Sequence, residues 1–211
     1  MSHTRIFNTA DVTPQEMTHL ARAMEQGAVA VLPTDTVYGI GTGGYQEESI
    51  QAIYRLKNRP SSSPLQLLTG SVEQAREVVQ FSAGAEKLAA AFWPGGLTLI
   101  LPPTSAGKSL TRGFAGLGMR VPGQAFLVKL LRAMSAPMAC TSANLHGQDV
   151  ITDEKILIDT FDGKVDYIFC AGTLSPVASS VVDLTAAPRL LREGSLSCAQ
   201  LEHVLGTPLA Q

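Results

Sequence analysis

Three short polar clusters interrupt otherwise apolar stretches of this chain, and each carries residues able to do chemistry. Lys57 and Arg59 stand two apart and are followed by Pro60, which holds two cations on a constrained turn. An ammonium is a point charge and a guanidinium forks onto phosphate or carboxylate, so the pair suits oxyanions. The blander use of the same residues is to close a helix C-terminus through its dipole. Thr141-Ser142-Ala143-Asn144 follows the apolar segment APMAC and offers a hydroxyl and an amide to phosphate oxygens, a ribose or a base. Pro33-Thr34-Asp35-Thr36-Val37-Tyr38-Gly39 follows a second apolar run, AVAVL at 28–32. Polar side chains at strand ends are where open α/β sheets usually place ligands.

Louder motifs carry less. GIGTGG at 39–44 fits GxGxxG, but PTDTVY separates it from the preceding strand and no acidic residue near position 60 is placed to bind a ribose. It reads as a loop with four glycines that allows close backbone approach, to a neighbouring strand or to a ligand. Gly107-Lys108-Ser109 resembles the end of a P-loop, yet Pro102 stands where the motif needs glycine, which leaves Lys108 as a loop charge. Histidines 3, 19, 146 and 203 show no paired metal spacing; only His146, beside Ser142 and Asn144, has a functional case. No GxSxG elbow anchors a hydrolase triad. Cys140, Cys170 and Cys198 lack metal spacing and fit reduced thiols in a cytosolic protein.

The elements that must position these clusters alternate. Helices are expected at 13–26, where Thr13 and Glu16 make a capping box, at 48–57, near 72–80, 84–92, 124–135 and 153–160, and at 198–205 behind a Ser197/Gln200 box. Strands are expected at 28–32, 65–68, 97–101, 119–121, 138–141, 167–170, 181–184 and 190–191. That alternation predicts an α/β layer fold with a mixed sheet, in one domain over 1–211. The stretch 102–117 is the best candidate for a flexible, functional loop.

The chain has 211 residues, 45% of them hydrophobic and 16% charged, with a formal charge of −2. It can bury a substantial core and is not disordered. The acidic balance, pI 6.1, and the few aromatics argue against a strongly basic nucleic-acid module. The N-terminus has no signal-peptide core and no membrane-spanning run, so a cytoplasmic location with no membrane partner is expected.

Taken in order, PTDTVYG, KNRPSSSPL, WPGGLTLIL (93–101), MRVP (119–122), TSAN and SSVVD (179–183) resemble the motif series of the YrdC-like family, over about residues 28–194. Its best-known members are L-threonylcarbamoyladenylate synthases. The resemblance implies a single-domain twisted mixed sheet with flanking helices around a large, positively lined cavity. It implies a nucleotidyltransferase that joins L-threonine, bicarbonate and ATP, with Mg²⁺, to threonylcarbamoyl-AMP and pyrophosphate. The product would pass to a tRNA threonylcarbamoyltransferase complex for t6A modification. Lys57 and Arg59 would be catalytic and hold the ATP phosphates, with Ser142, Asn144 and Arg192 (in LLREG) on the nucleotide. Thr34, Thr36 and Tyr38 would line the amino-acid side, Arg120 would meet the threonine carboxylate, and Ser180 the threonine or carbamate. No protein-held metal is implied. Two positions depart from the usual blocks: His146 replaces the second serine of SANxSG, and Ser180 replaces the threonine of STVVD. The resemblance leaves open a relative that binds double-stranded RNA or a nucleotide, or that uses another carbamoyl acceptor.

Overall fold

A computed structural model describes residues 3–145 and 147–210; His146 lies outside the described residues. In chain order the elements are β1 (Arg5–Asn8), α1 (Pro14–Glu25), β2 (Ala30–Leu32), β3 (Gly39–Gly43), α2 (Glu47–Lys57), β4 (Gln66–Leu68), α3 (Val72–Val78), α4 (Ala83–Phe92), β5 (Leu97–Leu101), β6 (Leu117–Arg120), α5 (Ala125–Ala133), β7 (Met138–Ser142), α6 (Glu154–Phe161), β8 (Tyr167–Cys170), β9 (Ser180–Asp183), β10 (Arg189–Arg192) and α7 (Cys198–Leu205). The strands join in one mixed sheet, in the order β1-β8-β2-β3-β7-β4-β6-β5-β9-β10. Both capping boxes form: Thr13 with Glu16 at α1 and Ser197 with Gln200 at α7. No helix among the described residues is long and apolar enough to cross a membrane.

The period-2 alternation of strand side chains divides the sheet into two unlike halves. In the half built on β8 and β2, both faces are covered. Ala30, Leu32 and Phe169 pack on α1 and α5, while Val31 and Ile168 pack with Leu157 and Phe161 of α6. In the other half only one face is fully apolar. Leu97, Leu99 and Leu101 of β5, Leu117 and Met119 of β6, and Val182 of β9 pack with Leu88 of α4 and Leu201 of α7. The alternate positions, Gln66, Thr98, Ile100, Gly118, Arg120 and Val181, face a cavity. The uncovered half of the sheet is therefore where a ligand can sit.

Two expectations change, and one strand is added. The glycine-rich 39–43 segment is a strand, β3, held between β2 and β7. Glycine is needed there because its neighbours come too close for a side chain: a Cβ on Gly39 would stand 2.7 Å from Cys140 Sγ, and one on Gly43 2.7 Å from the Met24 carbonyl. Arg5–Asn8, too short and mixed to read as a strand, becomes one by parallel pairing with β8. The 102–117 stretch is pinned rather than free. Leu110 enters the core, Arg112 donates to Glu47 and to the Gly44 carbonyl, and Lys108 stays exposed, outside the cavity wall.

Candidate active site

The cavity encloses about 310 Å³, and among the described residues its wall carries three arginines, Arg59, Arg120 and Arg192, with no aspartate or glutamate. Two strand ends, those of β6 and β10, and the end of helix α2 deliver them. α2 stops at Lys57 because Asn58 takes the left-handed conformation (φ 51°), which asparagine tolerates better than most residues. The chain reverses there, so Lys57 and Arg59 point to different places.

Arg59 reaches the cavity wall, held lightly through Nε to the Ser63 carbonyl (3.3 Å) and an Nη to the Pro64 carbonyl (3.2 Å). Lys57 does not line it. Its side chain is only 1% exposed, and its ammonium donates to the Ser142 carbonyl, the Asn144 carbonyl and Asn144 Oδ1. An ammonium has three donors, so all are spent inside the protein. Burial, with Arg59 close by, pushes its pKa down from 10.5 to about 8. Lys57, expected on the phosphates, is here the brace of the turn after β7. Asn144 is part of that brace: its Oδ1 also accepts from Ser142 Oγ (2.6 Å), its Nδ2 donates to the Gln148 carbonyl, and it is not in the cavity wall. Ser142 alone of that turn's expected pair lines the cavity.

Arg120, on β6, is 2% exposed. It forms an ion pair with Asp35 (2.7 Å) and donates to Thr36 Oγ1 (3.0 Å) and the Gly95 carbonyl (2.9 Å). Two of its five N–H donors remain for a ligand. Thr34 donates to the Val37 carbonyl, so the Thr36 hydroxyl, 2.9 Å away, must donate to Thr34 while accepting from Arg120. Both threonines line the cavity with their orientation set by this chain. Tyr38 does not: it is buried among Val31, Ile40 and Phe161, with its hydroxyl between the Ala171 N–H and the Gly172 carbonyl, and burial raises its pKa to about 12. The bend at 35–37 explains the difference: it breaks the alternation between Thr36 and β3, so Tyr38 falls with Ile40 on the side opposite Gly39.

Strand parity corrects the SSVVD block. Ser180 is fully buried on the core side, where Oγ donates to the Leu196 carbonyl and accepts from the Gly194 and Leu196 N–H groups. The cavity-facing hydroxyl is that of Ser179, which accepts from Arg192 (3.1 Å) and sits 3.0 Å from Thr98 Oγ1. Arg192 also donates from Nε to the Ser179 carbonyl (2.9 Å). Its pKa is lowered by burial and by the neighbouring Arg120 and Arg59 charges. Among the described residues neither Arg59 nor Arg192 has a carboxylate partner. Gln66, Thr98, Ser179 and Cys140 are wall residues not singled out beforehand. The signal for Thr98 is the LTLIL alternation, which leaves one polar residue on the face opposite three leucines. Burial pushes the Cys140 thiol up to about 12, so it is no nucleophile at neutral pH.

This is a half-covered α/β sheet whose open face concentrates guanidinium and hydroxyl donors, with no activated nucleophile among the described residues. Such a wall holds anions and stabilises charge during transfer between them. The chain belongs to the Sua5/YciO/YrdC family, described as "Telomere recombination", which matches residues 22–194. It is 35% identical over 187 residues to a threonylcarbamoyl-AMP synthase of Pyrococcus abyssi, covering 87% of this chain and 55% of that one. The fold superposes on the crystal structure of P. abyssi Sua5 complexed with L-threonine with a TM-score of 0.90 at 32% identity, over 99% of this chain and 63% of that one. It superposes on E. coli YciO with a TM-score of 0.85 at 25% identity, over 95% and 100% of the two chains. The chain spans about half the length of the curated synthases that head these comparisons.

Proposed function

We propose that this chain is a nucleotidyltransferase that makes L-threonylcarbamoyl-AMP and pyrophosphate from L-threonine, bicarbonate and ATP, supplying tRNA threonylcarbamoyladenosine synthesis in the cytoplasm. The observation that carries the reading is a cavity wall with two arginines free of carboxylate partners and a third only partly spent, in a fold shared with a Sua5 that binds L-threonine. The threonine amine takes up bicarbonate with loss of water to give a carbamate. A carbamate oxygen then attacks the α-phosphorus, and the bond to the β-phosphate breaks with its electron pair going to pyrophosphate. The carbamate brings its own nucleophile, so the protein's work is to bring two anions together and offset their repulsion.

In this reading Arg120 takes the threonine carboxylate, with Thr36 and Thr34 beside it and Ser179 in the place expected of Ser180. Arg59 and Arg192 take the triphosphate, Ser142 contacts the nucleotide, and Lys57 and Asn144 hold the turn that carries Ser142. Mg²⁺ enters in this reading with the triphosphate, as part of the substrate. The test is pyrophosphate release from ATP and Mg²⁺, with each of L-threonine and bicarbonate omitted in turn. Release that needs both supports the reading; release indifferent to threonine contradicts it.

A further inference from the structure

The hydroxyl chain on the open face has a direction, and its far end is unspent. Arg192 can only donate, so Ser179 Oγ accepts from it, and because Thr98 Oγ1 spends its own proton on Gln66, Ser179 donates to Thr98. Thr98 then donates to Gln66 Oε1 at 2.9 Å. The Gln66 carbonyl is thus turned toward Thr98 and its Nε2 away. Among the described residues Nε2 has no hydrogen-bond partner. It is not sealed in the core either, because the one buried, unpartnered side-chain polar atom there is Thr42 Oγ1. Gly118, which also lines the cavity, lies beside Gln66: a Cβ there would stand 3.5 Å from Thr98 Cγ2 and 3.8 Å from Gln66 Cβ.

We propose that Gln66 is a specificity-determining residue that donates from Nε2 to an oxyanion oxygen of a substrate bound against this wall. The inference rests on the function proposed above and adds a residue to it. A primary amide nitrogen offers only donors, so the ligand atom it meets must be an acceptor. The wall around it carries three guanidiniums and no carboxylate, so that acceptor belongs to an anion. A carboxylate of the amino acid and a phosphate of the nucleotide share this chemistry. A merely structural Gln66 would do no more than accept from Thr98.

The test is calorimetric titration of the full chain, as wild type, Gln66→Met and Thr98→Val, with Mg–ATP and with L-threonine separately. Methionine keeps the side-chain volume and removes the amide, while Thr98→Val keeps the amide and removes its anchor. Gln66→Met is expected to weaken one of the two ligands about tenfold or more, as for a lost hydrogen bond to a charged group, and to leave the other within about twofold. Thr98→Val weakens the same ligand by less, and neither variant lowers the melting temperature by more than a few degrees. A loss confined to L-threonine assigns the carboxylate; one confined to ATP assigns a phosphate. Unchanged affinities overturn the proposal, as does equal weakening of both ligands with a fall in melting temperature. Wild-type protein that binds neither ligand overturns the proposed function itself.

Discussion

Replacing Lys57 and Arg59 separately by methionine should separate two residues that look equivalent in KNRP. Lys57→Met leaves the Ser142 carbonyl, the Asn144 carbonyl and Asn144 Oδ1 without their donor. Each orphaned acceptor costs about 1–3 kcal/mol when sealed from water. Two effects reduce that sum. The buried ammonium already pays for its lost solvation, at most about 3 kcal/mol for a pKa moved from 10.5 to about 8. The turn is also only half-buried, so water can replace part of the bonding. The net expectation is a loss of about 2–4 kcal/mol, which for a chain of this size lowers the melting temperature by about 5–12 °C. Arg59→Met gives up only two bonds, at 3.2 and 3.3 Å, on a partly exposed side chain, about 1 kcal/mol or less. Both variants should lose pyrophosphate release, the first through a displaced Ser142 turn and the second through a missing phosphate contact. Scanning calorimetry alongside the release assay reads both quantities. Equal melting temperatures for the two variants would refute the assignment of Lys57 as a brace.

Ser180→Ala should cost about 2–4 kcal/mol, because it orphans the Gly194 and Leu196 N–H groups, whereas Ser179→Ala should cost about 1 kcal/mol and fall mainly on activity; urea midpoints in the reverse order would contradict the strand parity. Asp35→Asn removes the counter-charge of a buried guanidinium and should cost about 2–3 kcal/mol, below the full value for a sealed pair because Asp35 is 21% exposed. An unchanged urea midpoint would count against that pair. Lys57 titrates near 8 when folded and near 10.5 when unfolded, so the unfolded chain binds more protons between these values and this group makes stability rise with pH there. Activity should fall across the same window, since a neutral amine has two donors for three acceptors; a flat kcat/KM profile through it would contradict this.

Much of the fold was legible because its elements carry local marks. Thr13 and Ser197 announce two helices by their capping boxes, and the apolar runs at 97–101 and 167–170 read directly as strands. What escaped depends on partners distant in sequence. Arg5–Asn8 has no strand pattern of its own and is ordered by β8. The 39–43 glycines look like a loop until Cys140 and Met24 are seen pressing on them. At the site, Thr34, Thr36, Arg59, Arg120, Ser142 and Arg192 reach one cavity wall, while Lys57, Asn144, Tyr38 and Ser180 serve the scaffold behind it. The resemblance ranks both groups alike, because a motif records which residues occur together and not which way each points. Direction comes from the left-handed Asn58 and from the side of the strand on which a residue falls. Alternation within SSVVD, taken from core-facing Val182, points Ser180 inward and Ser179 outward.

The central claim is that the cavity brings a carbamate oxygen onto the α-phosphorus of ATP. Bicarbonate labelled with heavy oxygen, supplied with ATP, Mg²⁺ and L-threonine and followed by mass spectrometry, tests this most directly. Heavy oxygen is expected in the carbamoyl and bridging positions of threonylcarbamoyl-AMP, and none in the pyrophosphate released. Heavy oxygen appearing in orthophosphate would place the attack on the γ-phosphorus and contradict it.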